Sequence, residues 1–165
     1  MAKAKDISGL HAHLPYAEAA ALTVRARAEE LFAIPSDDVL DTAEIERVHD
    51  MRVASRRLRA VLEIYAPCFE RDRHRAVLAD VKALADALGA RRDPDVQLAA
   101  LDALRASLPP ADHPGIALVA DEVRAEQARG NEVLAVALEA AGSSDLRGRL
   151  LELADSAVAR PEEAR

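Results

Sequence analysis

Residues 48–60 read VHDMRVASRRLRA, placing four arginines and one histidine within thirteen residues. The chain around them is acidic, with a formal net charge of -7. A helix advances about 100° per residue, so with His49 at about 0° the wheel puts Arg56 near about 340°, Arg52 near about 300° and Arg59 near about 280°. Met51, Ala54, Leu58, Val61, Leu62 and Tyr65 fall between about 120° and about 220°, with Val48 at their edge. The stretch is therefore an amphipathic helix. Its apolar stripe lies beside a ladder of His49, Arg52, Arg56 and Arg59. Arg57 falls near about 80°, on a different side. Glu63, near about 320°, is the one carboxylate this helix offers to the ladder.

Like charges one turn apart repel by a few tenths of a kcal/mol. An arginine ladder suits an anion brought from elsewhere, because guanidinium groups bind phosphate through paired N–H donors and stay charged at any working pH. A histidine beside them adds a pH-dependent donor. The competing reading is a solvated helix face, or one that pairs with acidic neighbours.

Working outward, helical periodicity continues along the chain and no segment reads as a strand. Helices are expected over about 16–33, 42–66, 72–88, 94–107, 115–141 and 145–159. Asp41 or Thr42 is the expected cap of the second helix. Gly89 stands where a left-handed C-terminal cap would close the third, and Pro94 suits the first turn of a short connecting helix. IPSDD (34–38) and LPPADHPG (108–115) read as loops, and GSSD (142–145) offers caps for the last helix. The expectation is all-α: a bundle of about four long helices plus a short connecting helix. Residues 1–15 read as a flexible leader, 16–160 as one helical domain and 161–165 as a frayed tail.

Composition supports this and narrows the function. Apolar residues make up 50% of the 165 and aromatics 2%, so the core is aliphatic. Cys68 is the single cysteine and excludes a disulfide within the chain, which fits a reducing compartment. With no apolar run long enough for a signal peptide or a membrane span, the expected location is cytoplasmic, without membrane association. Charge is uneven. Residues 47–92 hold 11 Lys and Arg against 6 Asp and Glu, whereas the rest holds 11 against 23.

Two further segments extend the pattern. VHDMRVASRRLRAVLEIYAP (48–67) is followed further along by LADALGARRDPDVQL (84–98). Together they resemble the CHAD domain, the conserved-histidine α-helical domain, which has the forms V-H-x-x-R-V-x-x-R-R-L-R and L-G-x-x-R-D-x-D-V. Val48, His49, Arg52, Val53, Arg56, Arg57, Leu58 and Arg59 meet the first form. Leu88, Gly89, Arg92, Asp93, Asp95 and Val96 meet the second. The resemblance covers residues 45–101 well and the flanking helices loosely.

The resemblance implies an all-helical domain that binds inorganic polyphosphate without catalysis, found at polyphosphate granules or beside a triphosphate-processing domain. Carried over residue by residue, the polyphosphate ligands are His49, Arg52, Arg56, Arg59, Lys82 and Arg92, with Arg57 and Arg91 as a secondary pair. Asp93 is expected to orient an arginine. Family members usually hold two related bundles, whereas residues 111–165 contain His113 but no H-x-x-R motif. A homodimer that completes the two-bundle arrangement, a piece of a longer protein, or a half with weakened binding each fits this departure.

Rival chemistries are weaker. The five histidines join no cysteine or carboxylate at recognised metal-ligand spacing, so neither a metal nor a cofactor is expected. Scarce aromatics and net negative charge disfavour specific nucleic-acid binding. No glycine-rich phosphate loop and no nucleophile with a matched base is present, so no catalytic residues are assigned. The alternative function is a helical scaffold or dimerisation module whose ladder pairs with acidic protein surfaces.

Overall fold

The computed structural model describes residues 4, 6–41 and 44–157. Six α-helices run through them: α1 Tyr16–Phe32, α2 Ser36–Leu40, α3 Ile45–Ile64, α4 Arg71–Ser107, α5 His113–Ser143 and α6 Leu146–Asp155. Among the described residues there is no strand. The all-α expectation holds: four helices are long and two are short.

The core is aliphatic, as composition demands. Val24, Ala28 and Leu31 of α1, Val48, Leu58 and Leu62 of α3, Val81 and Leu88 of α4, Leu134 of α5 and Leu150 of α6 are all fully buried. Each helix presents small or branched residues at helical spacing to that core. On α3 the buried set is Val48, Met51, Ala54, Ser55, Leu58 and Leu62, the stripe expected from the wheel with Ser55 added and Val61 and Tyr65 only partly buried. Fully burying one such side chain contributes about 1.5–3 kcal/mol, so the stripe fixes which way the ladder beside it points.

The end of α3 is closed by side chains from two other elements. His74 Nε2 donates to the Leu62 carbonyl at 2.8 Å, and the Tyr16 hydroxyl donates to the Ile64 carbonyl at 2.9 Å. Both satisfy carbonyls that a helix C-terminus leaves unpaired. His74 also stacks on Phe69, with ring centroids 5.9 Å apart. Buried Cys68 lies in the short 3-10 turn just past that end.

Several local expectations give way. Residues 36–40 form a helix rather than staying in a loop, with Pro35 just ahead of Ser36, where its fixed φ suits a helix start. Asp41 ends α2, and Glu44 precedes α3 without a side-chain cap. Thr42, the other expected cap, lies outside the described residues.

The larger correction is α4. It does not stop at Gly89 and restart at Pro94 but runs unbroken for 37 residues, with Pro94 inside it. An interior proline costs about 3 kcal/mol or more, because it removes a hydrogen bond and crowds the carbonyl four residues back. Contacts with α5 offset this cost. Asp95 Oδ1 accepts from Arg91 Nη1 at 2.5 Å, so the ion pair straddles Pro94. The same oxygen accepts from Gln127 Nε2 at 2.5 Å. Arg91 Nε donates to Asn131 Oδ1 at 3.1 Å, and Asn131 Nδ2 reaches the Leu40 carbonyl at 3.3 Å. Neither Gly89 nor Pro94 ends the helix, because partners 32 to 40 residues away hold its middle.

At the last junction, Asp145 caps α6, its carboxylate accepting from the Gly148 amide at 3.1 Å. Described residues of the expected leader run in turns, and Gly9 lies against Leu22 of α1. The expected tail, 161–165, and the last expected residues of the sixth helix, 158–159, lie outside the described residues.

Candidate anion-binding groove

The ladder faces α4. Two contacts set the pairing of the helices: Lys82 with Glu63, and Gly89 with Arg52. As the α3 residue number falls, the α4 number rises, so the helices are antiparallel. The ladder and the 82–92 stretch therefore form the two walls of one groove. Each wall is eleven residues long, ten steps of about 1.5 Å or about 15 Å from end to end.

At one end, Glu63 Oε1 accepts from Arg59 Nε at 3.1 Å, and Lys82 Nζ lies 3.3 Å from the same oxygen. These side chains are partly exposed, at 43% for Arg59, 40% for Lys82 and 44% for Glu63. The hydrogen bond from Arg59, then that from Lys82, holds the Glu63 carboxyl below its ordinary range. The carboxylate sits in the last turn of α3, where the helix dipole disfavours negative charge.

In the middle of the groove lie Arg52 and Arg56. A Cβ added to Gly89 would stand 4.0 Å from Arg52 Nε, so the guanidinium lies over a turn of α4 that has no side chain of its own. Arg56 is exposed, while Arg52 and His49 are partly buried. Among the described residues, no carboxylate forms an ion pair with Arg52, Arg56 or His49. The antiparallel register carries His49 toward the end of the groove where Arg92 sits. Arg92 Nη1 is 3.8 Å from Asp95 Oδ2, and its side chain is 18% exposed.

The structure brings Arg59 and Lys82 together on Glu63 and sets Arg52 against Gly89, while Arg56, His49 and Arg92 follow only from the helical register. Two of the sequence readings change. Arg91 is not a surface cation. Its side chain is 0% exposed and belongs to the buried cluster with Asp95, Gln127 and Asn131, so it holds α4 to α5 and has no route to an external anion. Both arginines of the RRDPD run pair with Asp95 rather than with exposed Asp93. Arg57 is partly buried, on a different side of α3 from the ladder by the wheel. Asp95 went unrecognised as the partner because Gln127 and Asn131, the residues that bury it, are on another helix and leave no local signal.

The walls also carry negative charge. Asp86 and Asp93 share the α4 face with Lys82, one turn past Lys82 and Gly89 respectively. The cationic surplus of the groove is therefore modest. Among the described residues, no group of three or more His, Cys, Asp or Glu could hold a metal ion, and no helix is long and apolar enough to cross a membrane.

A helical bundle in which an arginine-bearing face of one helix meets a second, antiparallel helix is the class that the fold defines. The family model of the CHAD domain matches residues 22–165, and the chain belongs to that family. No curated protein and no solved structure matches the chain.

Proposed function

We propose that the α3/α4 groove binds inorganic polyphosphate without catalysis, through His49, Arg52, Arg56, Arg59, Lys82 and Arg92. The observation that carries this reading is the antiparallel placement of the Arg52–Arg56–Arg59 ladder opposite Lys82 and Arg92. A linear polyanion laid along the groove meets cations from both walls at successive phosphates. Guanidinium groups supply paired donors, and Lys82 supplies a point charge. Affinity rises with chain length as contacts accumulate on one ligand, and falls steeply with salt. The acidic remainder of the chain keeps other polyanions at a distance and the protein in solution, in the cytoplasm or at polyphosphate granules.

Membership in a family associated with polyphosphate supports this reading, and so does the convergence of the ladder with Lys82. A homodimer supplies the second basic wall set that one copy lacks, through a symmetric interface. The test is titration with long-chain polyphosphate, with orthophosphate and duplex DNA as competitors. The reading predicts saturable binding that DNA and orthophosphate displace poorly. Absence of polyphosphate binding at low salt overturns it.

One observation favours a second reading. Glu63 shows that a protein carboxylate fits the Arg59–Lys82 pair, and α5 exposes Leu118 and Val136 at 70% and 67%. Under this reading the chain is a helical scaffold or dimerisation module whose ladder docks on acidic protein surfaces. Binding to an acidic protein partner that polyphosphate does not displace would favour it.

A further inference from the structure

Glu63 lies inside the cationic arc of α3 rather than beside it. By the wheel it falls at about 320°, between Arg52 at about 300° and Arg56 at about 340°. A single oxygen of its carboxylate takes both Arg59 and Lys82, so it joins the two walls at one end of the groove. Helical spacing puts Arg75 and Asp86 on the Lys82 face of α4, and at the end of α3 stand the Tyr16 hydroxyl on the Ile64 carbonyl and His74 on the Leu62 carbonyl. Both of the last two are committed to backbone.

We propose that Glu63 is a tethered counter-anion of the groove: its carboxylate competes with an incoming phosphate for Arg59 and Lys82 and sets the minimum ligand that can bind. The inference rests on the polyphosphate reading above. A group fixed on the same helix competes at an effective concentration on the order of millimolar or higher. A single phosphate reaching only Arg59 and Lys82 must outbid that carboxylate and then suffer its repulsion. A longer chain also engages Arg52, Arg56 and Arg92, and these contacts offset the displacement of Glu63. The device therefore selects against short phosphates by competition rather than by size.

The test is calorimetric titration of the full chain with tripolyphosphate and with long-chain polyphosphate, using wild type, Glu63→Gln and Glu46→Gln. Glu46 is exposed in the first turn of α3, more than four turns from Glu63, so its substitution makes the same charge change away from the Arg59–Lys82 pair. Exposed ion pairs are individually weak, so releasing two cations should raise tripolyphosphate affinity roughly three- to tenfold. The gain should be smaller for the long chain, under twofold for Glu46→Gln, and reduced when Lys82→Ala is combined with Glu63→Gln. Circular dichroism and melting establish that each variant is folded.

If wild type binds the long chain but Glu63→Gln gains nothing for tripolyphosphate, the counter-anion role falls and the polyphosphate reading stands. If Glu46→Gln gains as much, the effect is general charge and the local role falls. If neither wild type nor Glu63→Gln binds either ligand, both readings fall.

Discussion

Gly130 of α5 packs directly on the carbonyl of Ala90, the group that Pro94 leaves without its helical donor. A Cβ at Gly130 would stand 2.7 Å from that oxygen and 3.0 Å from the Arg91 Cα, both of them backbone atoms. The proline in α4 and the glycine in α5 are thus two halves of one arrangement. One opens a gap in the hydrogen-bond ladder, and the other lets a neighbouring backbone close over it.

Gly130→Ala should therefore destabilise the protein although alanine is the better helix former. The cost expected for a clash that backbone cannot relieve is about 1–3 kcal/mol or more. Gly89→Ala is the contrast. Its Cβ would meet only the Arg52 side chain, at an ordinary 4.0 Å, so helix propensity dominates and a gain of about 0.5–1 kcal/mol is expected. Urea unfolding of the two variants checks the pair, and equal effects would refute the distinction.

Asp95→Ala should be among the most damaging single changes in the chain. It leaves the Arg91 guanidinium buried without its ion pair, and removing one partner of a buried pair costs about 3–5 kcal/mol. Replacing Arg91 and Asp95 together by Met and Leu should cost much less, because no buried charge remains unpaired. Thermal unfolding of the single and double variants decides this.

Arg52→Ala/Arg56→Ala should lower affinity for long-chain polyphosphate roughly tenfold or more, at about 1 kcal/mol for each charge-assisted contact. Both side chains lie outside the buried stripe of α3, so the melting temperature should barely move. The salt dependence should become shallower, because fewer cations exchange their counter-ions. Equal binding by the double variant would place the site elsewhere.

The pH dependence of stability should carry a small contribution from Glu63. Its folded-state carboxyl is held below the ordinary value by Arg59 first and Lys82 second. A carboxyl with a depressed folded pKa contributes stability that is fully present above the unfolded value, about 4.3, and is lost as pH falls through the folded one. Solvent screening at this half-exposed site limits it to about 0–1 kcal/mol. Glu63→Gln should flatten the acid limb of the stability curve and leave the neutral region almost unchanged. Urea unfolding at pH 3 to 7 would show it.

The homodimer proposal has a direct measurement. Light scattering should give a mass near twice 17.7 kDa at binding-assay concentrations. A clean mass at the single-chain value would remove the dimer and leave one groove as the whole site.

The local sequence determined the ladder and its helix. The 3.6-residue period of Val48, Met51, Leu58 and Leu62 fixes a buried stripe, and that stripe alone orients Arg52, Arg56 and Arg59 together and Arg57 apart. It also determined the helical class, since an alanine- and leucine-rich chain without strand periodicity has few other ways to bury its surface. Tertiary structure decided everything that depends on a partner distant in sequence. Gly89 and Pro94 carry the local marks of a helix boundary, yet α4 passes through both because Gln127, Gly130 and Asn131 of α5 pack on and bond to the turn around the proline. Arg91 and Arg92 are adjacent and chemically identical, but only the packing of α5 buries the first completely with Asp95 and leaves the second partly exposed. Helical periodicity reports which way a side chain points. What it meets there depends on which helix packs alongside, and that is settled only when the core closes.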